Sequence, residues 1–188
     1  MRQIQNATRL RLSGGRLKGR VIQTMIMNGL RPTTDANRQA IFNILGDIVE
    51  DAVVADLYAG TGALGFEALS RGASTVAFAE VSDELCKLLE VNSTTLSVTD
   101  FVEIQNSEIE RLPLSFWKEE RFDLVFADPP YERYPVPSLN LIAASLKNGG
   151  IFVYEFSSRS PVLENVSGLT LLKLKKSGDT TIAFYRKG

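Results

Sequence analysis

The chain has no histidine and one cysteine in 188 residues. Without an imidazole there is no histidine base and no conventional zinc site, and Cys86 lacks the partner for an internal disulfide. Cys86 falls in a helical pattern and is expected to pack. No apolar run is long enough to cross a bilayer, and Met1 to Leu10 holds no stretch suited to a signal peptide, so a cytoplasmic protein with no membrane partner is expected. Internal repeats and low-complexity segments are also missing. The net charge is only −1, which by itself argues nothing about nucleic acid. What remains is 44% hydrophobic residues in a length that suits one α/β domain with a modest appendage.

The organising stretch is Asp56-Leu57-Tyr58-Ala59-Gly60-Thr61-Gly62-Ala63-Leu64-Gly65. Ala52 to Leu57 is apolar enough for a buried parallel strand, and the glycines then open a helix. Gly60 and Gly62 allow a tight turn beside a ligand, and Gly65 lets the helix approach the sheet. The Gly-x-Gly-x-x-Gly spacing fits a dinucleotide fingerprint, with Glu80 where a ribose-binding acid belongs. A ligand-free strand-to-helix turn would use the same glycines, but strand, loop, helix and acid in this order favour a nucleotide-like ligand. Asp56 at the strand end would repel a phosphate and attract an ammonium or sulfonium, which favours S-adenosylmethionine over a nicotinamide dinucleotide.

Strand and helix patterns alternate along the chain. Thr34 caps a helix whose stripe is Ile41, Ile44, Leu45 and Ile48, and Ala63 to Arg71 forms the helix after the glycine loop. Ser82 caps another with Leu85, Leu88 and Leu89 inward. Further strands are expected at Thr75 to Glu80, Phe101 to Gln105, Phe122 to Ala127 and Ile151 to Phe156. A helix through Leu139 and Leu146 is stopped by Asn148-Gly149-Gly150. Phe116 and Trp117 could stack on bases, yet an aromatic pair in a connection more often seals a core edge. Leu169 to Leu174 and Thr181 to Tyr185, around Ser177-Gly178-Asp179, form an antiparallel hairpin. A mostly parallel seven-stranded sheet ending in such a hairpin is the Rossmann-like plan of class I methyltransferases. Arg9 to Met27 reads as a small N-terminal β extension.

That extension is basic: in residues 1–38 eight Arg and Lys face Asp35 alone. Arg31 and Arg38 stand near a helix start, where they oppose the dipole, so they need another reason to be there, and phosphate contact is one. A solvated basic surface is the plainer alternative. Asp128-Pro129-Pro130-Tyr131 follows the fourth strand. In isolation it would be a stiff turn with a core tyrosine, but here it lies downstream of a matching glycine loop. An amine on an aromatic ring is a poor nucleophile because its lone pair is delocalised. A carboxylate and a proline carbonyl can each accept one N–H and leave the nitrogen lone pair facing a methyl sulfonium. The carboxylate then stabilises the charge growing on nitrogen, and Tyr131 offers a stacking face.

The chain resembles the bacterial methyltransferases that modify guanine N2 in small-subunit (16S) ribosomal RNA. Four blocks carry the likeness: Arg11 to Arg20 (RLSGGRLKGR), Leu30 to Asp35 (LRPTTD), Asp56 to Ala73 with its Glu67-Ala68-Leu69-Ser70-Arg71-Gly72-Ala73 tail, and Asp128 to Tyr131; Ser177 to Thr180 is similar too. Ala36 and Gln39 depart from the family pattern. The resemblance implies a cofactor site for S-adenosyl-L-methionine at Asp56, Tyr58, Gly60, Thr61, Gly62, Glu80, Val81, Ser107 and Glu108, with Glu80 on the ribose hydroxyls and no metal. It implies a catalytic group of Asp128, Pro129, Pro130 and Tyr131 and RNA contacts at Arg11, Arg16, Lys18, Arg20, Arg31 and Arg38. The implied partner is 16S ribosomal RNA in the small subunit or its assembly intermediate, with the position-966-type guanine as target and the enzyme a monomer. The division expected is 1–30 as a basic extension and 31–188 as the methyltransferase domain. Methylation of adenine N6 in DNA, nicotinamide oxidoreduction, and RNA binding without catalysis remain the competing readings.

Overall fold

The alternation of short apolar runs with amphipathic segments folds as the pattern predicts, and the chain order of the strands decides where a site can form. A computed structural model describes residues 7–25, 34–130, 133–166 and 168–188. β1 (Ala7–Arg11) and β2 (Val21–Met25) pair with each other as a separate antiparallel sheet. After α1 (Asp35–Leu45) come β3 (Val53–Leu57), α2 (Ala63–Ser70), β4 (Thr75–Glu80), α3 (Asp83–Leu96), β5 (Val102–Asn106) and β6 (Phe122–Ala127). α4 (Leu139–Ser145), β7 (Leu146–Ser157), β8 (Asn165–Val166), β9 (Leu169–Ser177) and β10 (Thr180–Lys187) complete the chain.

The main sheet has the order β5-β4-β3-β6-β7-β10-β9-β8. Strands β3 to β7 run parallel, and β10, β9 and β8 are antiparallel additions. The seven expected strands are therefore present, with the two-residue β8 added at the edge. Strand order reverses between β3 and β6. Connections leave that point in opposite directions, and the crevice outside the strand ends is where an open α/β sheet binds ligands. One face of the sheet packs Val54, Phe126, Val153, Ile182 and Phe184 under α1 and α2; the other packs Ala55, Val125, Phe152 and Tyr154 with Phe116 and Trp117. The aromatic pair is thus core, and buried Cys86 packs on α3.

Three expectations are corrected. The stripe of α1 stops at Leu45, because Gly46 takes φ 54° and ends the helix; Ile48, in the following 3-10 turn, is exposed, and Phe42 is buried instead. α4 also ends earlier than expected, at Ser145. Leu146 already pairs with Phe122, and 147–150 bulge out before Ile151 pairs with Leu124. The third correction concerns Arg38, expected to reach phosphate. Its side chain is 0% exposed and ion-paired with Glu67, also 0% exposed, at Nε–Oε2 3.3 Å. A guanidinium enclosed in this way cannot meet a nucleic-acid backbone, and the helix-opposing arginine has its reason inside the protein.

Glu67 is the junction. Its Oε2 accepts the Ser13 backbone N–H at 2.9 Å, and its Oε1 accepts the Ser13 hydroxyl at 2.7 Å and Arg71 Nε at 2.8 Å. One carboxylate thereby ties the loop after β1 to both α1 and α2. The loop could not come this close with a larger residue at Gly15, where φ is +71° and an added Cβ would lie 1.7 Å from the Ser70 carbonyl oxygen. Arg16 N–H donates to that same oxygen at 2.6 Å, and Leu17 N–H to the Ser70 hydroxyl at 3.0 Å. Farther along, Gln23 and Asn92 exchange backbone and amide hydrogen bonds at 2.8 and 2.9 Å, which fixes β2 against α3.

Burial acts to raise the Glu67 pKa, but the Ser13 hydrogen bonds, Arg71 and Arg38 outweigh it and hold the carboxyl below its ordinary 4.5. A depressed carboxyl contributes stability that is present above its unfolded-state value and lost as pH falls through its folded value. Glu67→Gln removes the counter-charge of Arg71 and leaves buried Arg38 with Asp35 alone, and should destabilise the fold by about 3–5 kcal/mol. Its denaturant midpoint should also lose part of the acid sensitivity seen below about pH 4.5. A midpoint unchanged from the parent at neutral pH would show that the junction is not structural.

Candidate active site

The loop between β3 and α2 is built around three left-handed backbone positions, Tyr58 at φ 59°, Gly60 at 55° and Gly62 at 80°. Two acids hold it. Asp56 Oδ2 accepts the Gly65 N–H at 2.9 Å, binding the strand end to the first turn of α2. Glu80, at the end of the neighbouring β4, accepts the Gly60 N–H at 2.8 Å on one oxygen and the Ser82 N–H at 2.9 Å on the other. Gly65 meets the sheet as expected: an added Cβ would lie 2.2 Å from Phe78 Cε1, so no side chain fits between α2 and β4.

Two cavities open at this end of the sheet. The larger, about 480 Å³, has Asp56, Tyr58, Gly60, Thr61 and Asp128 on one wall and the β1–β2 hairpin on the other. The smaller, about 170 Å³, is lined by Tyr58, Glu80, Val81, Ser107, Glu108, Ile109, Pro130 and Arg133. Tyr58 borders both, and the Asp128-Pro129-Pro130 turn gives Asp128 to one and Pro130 to the other; Pro129 is buried between them. Gly62 is buried behind the loop, facing Leu89 and Phe66. The structure thus gathers the expected cofactor residues and Asp128 around one crevice at the strand-order reversal. Tyr131 lies outside the described residues.

Burial pushes the Asp56 carboxyl from its ordinary 3.8 to about 8; Gly65 opposes the shift, and the nearby Asp128 and Glu80 charges add to it. Burial and the neighbouring acids together favour the protonated form of Asp56 at neutral pH. Burial, then Glu110, raises the Tyr58 phenol to about 12, and Arg133 beside it opposes the shift; the hydroxyl is enclosed, and Arg133 is too far or too poorly aligned for a full hydrogen bond among the described residues. Arg133 Nη1 instead pairs with Glu110 at 2.7 Å. The crevice combines a buried acid, an enclosed hydroxyl and a loop in which a Cβ on Gly60 would meet only the Tyr58 carbonyl oxygen, at 4.0 Å. That suits a ligand with a cationic part and several polar groups, whose cation would draw the Asp56 proton off.

The basic residues divide. Arg11, Arg16, Lys18 and Arg20 are exposed on the hairpin and its loop. Arg11 also lines the larger cavity and donates to the Gly19 carbonyl at 2.6 Å; Arg20 donates to the Thr95 carbonyl at 2.6 Å; Arg16 lies 5.6 Å over the Phe101 ring. Arg38 is excluded by its burial, and Arg31 lies outside the described residues. Sequence reasoning did not find Thr8, Arg9, Leu10, Thr24 and Met25 as cavity wall. Only their alternation on two short strands was visible; the face they present depends on where the Glu67 junction docks the hairpin.

The family model described as Conserved hypothetical protein 95 matches residues 10–186. Ribosomal RNA small subunit methyltransferase D of Haemophilus influenzae is 31% identical over 94% of this chain and 93% of its own length. The solved structure of yhhF from Escherichia coli superposes with a TM-score of 0.81 at 29% identity, covering 96% of this chain and 98% of that one. An RNA methyltransferase from Salinibacter ruber, solved with S-adenosyl-L-homocysteine, shares the fold at TM-score 0.59 and 16% identity, over 83% of this chain and 93% of its own.

Because the folded-state pKa of Asp56 is raised, its contribution to stability is complete below its ordinary 3.8 and is lost as pH rises through about 8. Thermal melting of the parent relative to Asp56→Asn should therefore fall between about pH 4 and 8 and level off above that. Parallel curves would mean that Asp56 is ionised throughout and that the crevice is wetter than its burial indicates.

Proposed function

We propose that this chain, which belongs to the Conserved hypothetical protein 95 family, transfers the methyl group of S-adenosylmethionine to N2 of a guanine in small-subunit ribosomal RNA. The observation that carries the reading is the convergence of Asp56 and Asp128 from adjacent strands on one cleft, at the crevice where strand order reverses. The name of the Haemophilus influenzae relative supports ribosomal RNA as the acceptor. The position-966-type guanine is the finer target that the sequence resemblance suggests.

The residues fit the cofactor in parts. Asp56, with Gly60 to Gly62, takes the methionine portion, and its carboxyl ionises when an ammonium or sulfonium approaches. Each Glu80 oxygen accepts one backbone N–H and keeps a lone pair for a ribose hydroxyl. Val81, Ser107, Glu108 and Pro130 line a space suited to the adenine, and Tyr58 marks the junction between the two ends. When bound, the sulfonium supplies an electrophilic methyl group.

The protein's own task is to prepare the acceptor. Asp128 and the Pro129 carbonyl each accept one N–H of the exocyclic amine, so the nitrogen lone pair is directed at the methyl carbon. With the cofactor bound, the new N–C bond would replace the C–S bond and leave the thioether S-adenosylhomocysteine; the positive charge growing on nitrogen would lie beside the Asp128 carboxylate, and one N–H proton would pass to water. No histidine is needed. Tyr131 stacks on a base taken out of its helix, a contact worth roughly 1–3 kcal/mol. Residues 1–30 act as an RNA-docking extension of the 31–188 transfer domain through Arg11, Arg16, Lys18 and Arg20, with the enzyme working as a monomer in the cytoplasm.

The direct test supplies labelled S-adenosylmethionine with unmodified small subunits, naked ribosomal RNA or duplex DNA, and identifies the product nucleoside. N2-methylguanosine in the ribosomal acceptors is expected; label in DNA adenine would keep the chemistry and overturn the substrate. Asp128→Ala should lower kcat by roughly 10²–10³-fold or more while S-adenosylhomocysteine binding holds. Near-normal turnover by that variant would remove the amine-positioning mechanism.

A further inference from the structure

The edge of the sheet beyond β10 carries charge that the reaction does not use. In residues 165–188 five Arg and Lys face Asp179 alone, and three of the five, Lys173, Lys175 and Lys176, fall within four positions of β9. β8 pairs only with Leu169 and Thr170, so the stretch of β9 that holds the lysines is an outer edge among the described residues. Lys173 and Lys176 are exposed and Lys175 half-buried; none takes part in the ion pairs found among the described residues.

Register places these lysines relative to the site. Lys173 lies opposite Phe184 and Lys175 opposite Ile182, and those two core residues share a face of the sheet with Val54 and Phe126. Side chains alternate along a strand, so Asp56 and Asp128 belong to the same face as Lys173 and Lys175. The height matches as well. The β9–β10 turn is held to the end of β7 by the Ser158 N–H donating to the Asp179 carbonyl at 2.8 Å, and β7 ends on the same side of the sheet as Asp128. β9 is three strands from β6, or about 14 Å at the usual strand spacing.

Lysine on a sheet edge also guards against pairing with another chain. One charge suffices for that. Three adjacent cations covering both faces, beside an otherwise acidic body, make a track for a polyanion instead. The basic β1–β2 hairpin lies at the opposite flank, fixed to α3 near β4 and β5. Resting on the RNA reading above, we infer that Lys173, Lys175 and Lys176 hold backbone phosphates a few nucleotides from the target, on the side away from the hairpin. The RNA strand is then gripped on both sides of the base that enters the crevice, which keeps it in register while that base is extruded.

The test measures binding of a small-subunit ribosomal RNA transcript between about 50 and 200 mM salt for the parent, for Lys173, Lys175 and Lys176→Gln together, and for the same positions→Arg. S-adenosylhomocysteine affinity and melting temperature report folding. Loss of three phosphate contacts should weaken RNA binding roughly tenfold or more and flatten the log–log salt slope by about 2, at about 0.7 per contact for single strands. The arginine variant should keep the parent slope. A glutamine variant that is folded and retains the parent slope overturns the inference, and self-association of that variant would identify the lysines as edge guards. In that case salt-dependent binding by the parent leaves the RNA reading standing; a parent that binds S-adenosylhomocysteine but no RNA removes both.

Discussion

The buried Glu67 carboxylate is the constraint on which the arrangement rests. An acid taken wholly out of water is unfavourable unless its lone pairs and charge are met, and here Ser13 and Arg71 hydrogen-bond to it while Arg38 balances its charge, from three segments. Arg38 is held as tightly from the other side: its Nη2 donates to the Arg11 carbonyl at 3.0 Å, while Nε and Nη1 sit at ion-pair distance from Glu67 and Asp35 without aligned hydrogen bonds. The network is therefore strained in direction but closed in charge. Its geometric result is that a two-stranded hairpin with little core of its own becomes the fixed outer wall of the larger cavity. Without that junction the crevice would be an open shelf on the sheet.

Electrostatics inside the crevice follow from the same economy of charge. Asp56, Glu80 and Asp128 converge because each stands at or just past the end of a parallel strand. Three carboxylates in one place repel, and burial resolves the conflict by leaving Asp56 protonated. A cationic ligand reverses that balance, so the site is selective for positive charge by construction. Glu80 also holds the structure around it: one oxygen takes the Gly60 N–H of the glycine loop and the other the Ser82 N–H before α3. Around the glycine loop a phosphate-bearing dinucleotide would meet Asp56, Glu80 and Asp128, which is the physical argument against the oxidoreductase reading.

Charge over the whole chain has a complementary pattern. The central segment is acidic, and both ends are basic. The near-zero net charge conceals this, because opposite regions cancel in the sum while remaining separate in space. The fold puts the two basic ends at opposite flanks of the main sheet with the acidic crevice between them. Such an arrangement favours a polyanion at the rims over the centre.

Much of this was legible in the sequence because it depends on local order. Apolar runs, Thr34 and Ser82 as helix caps, the glycine loop and the Asp-Pro-Pro turn are each specified within a few residues, and their alternation implies the parallel sheet. Other features could not be read because they depend on partners far apart in the chain. Arg38 looked like a phosphate ligand until its contact with Glu67, twenty-nine positions away, removed it from solvent. The cavity wall from Thr8 to Met25, the protonation of Asp56 and the shared face of Asp128 with the β9 lysines likewise arise only when distant segments meet. The sequence by itself determined which chemical groups are present and which local structures carry them. Tertiary structure alone decided which charges are buried against one another and which face the crevice, since desolvation and Coulomb energy depend on distances in space and not on separation along the chain.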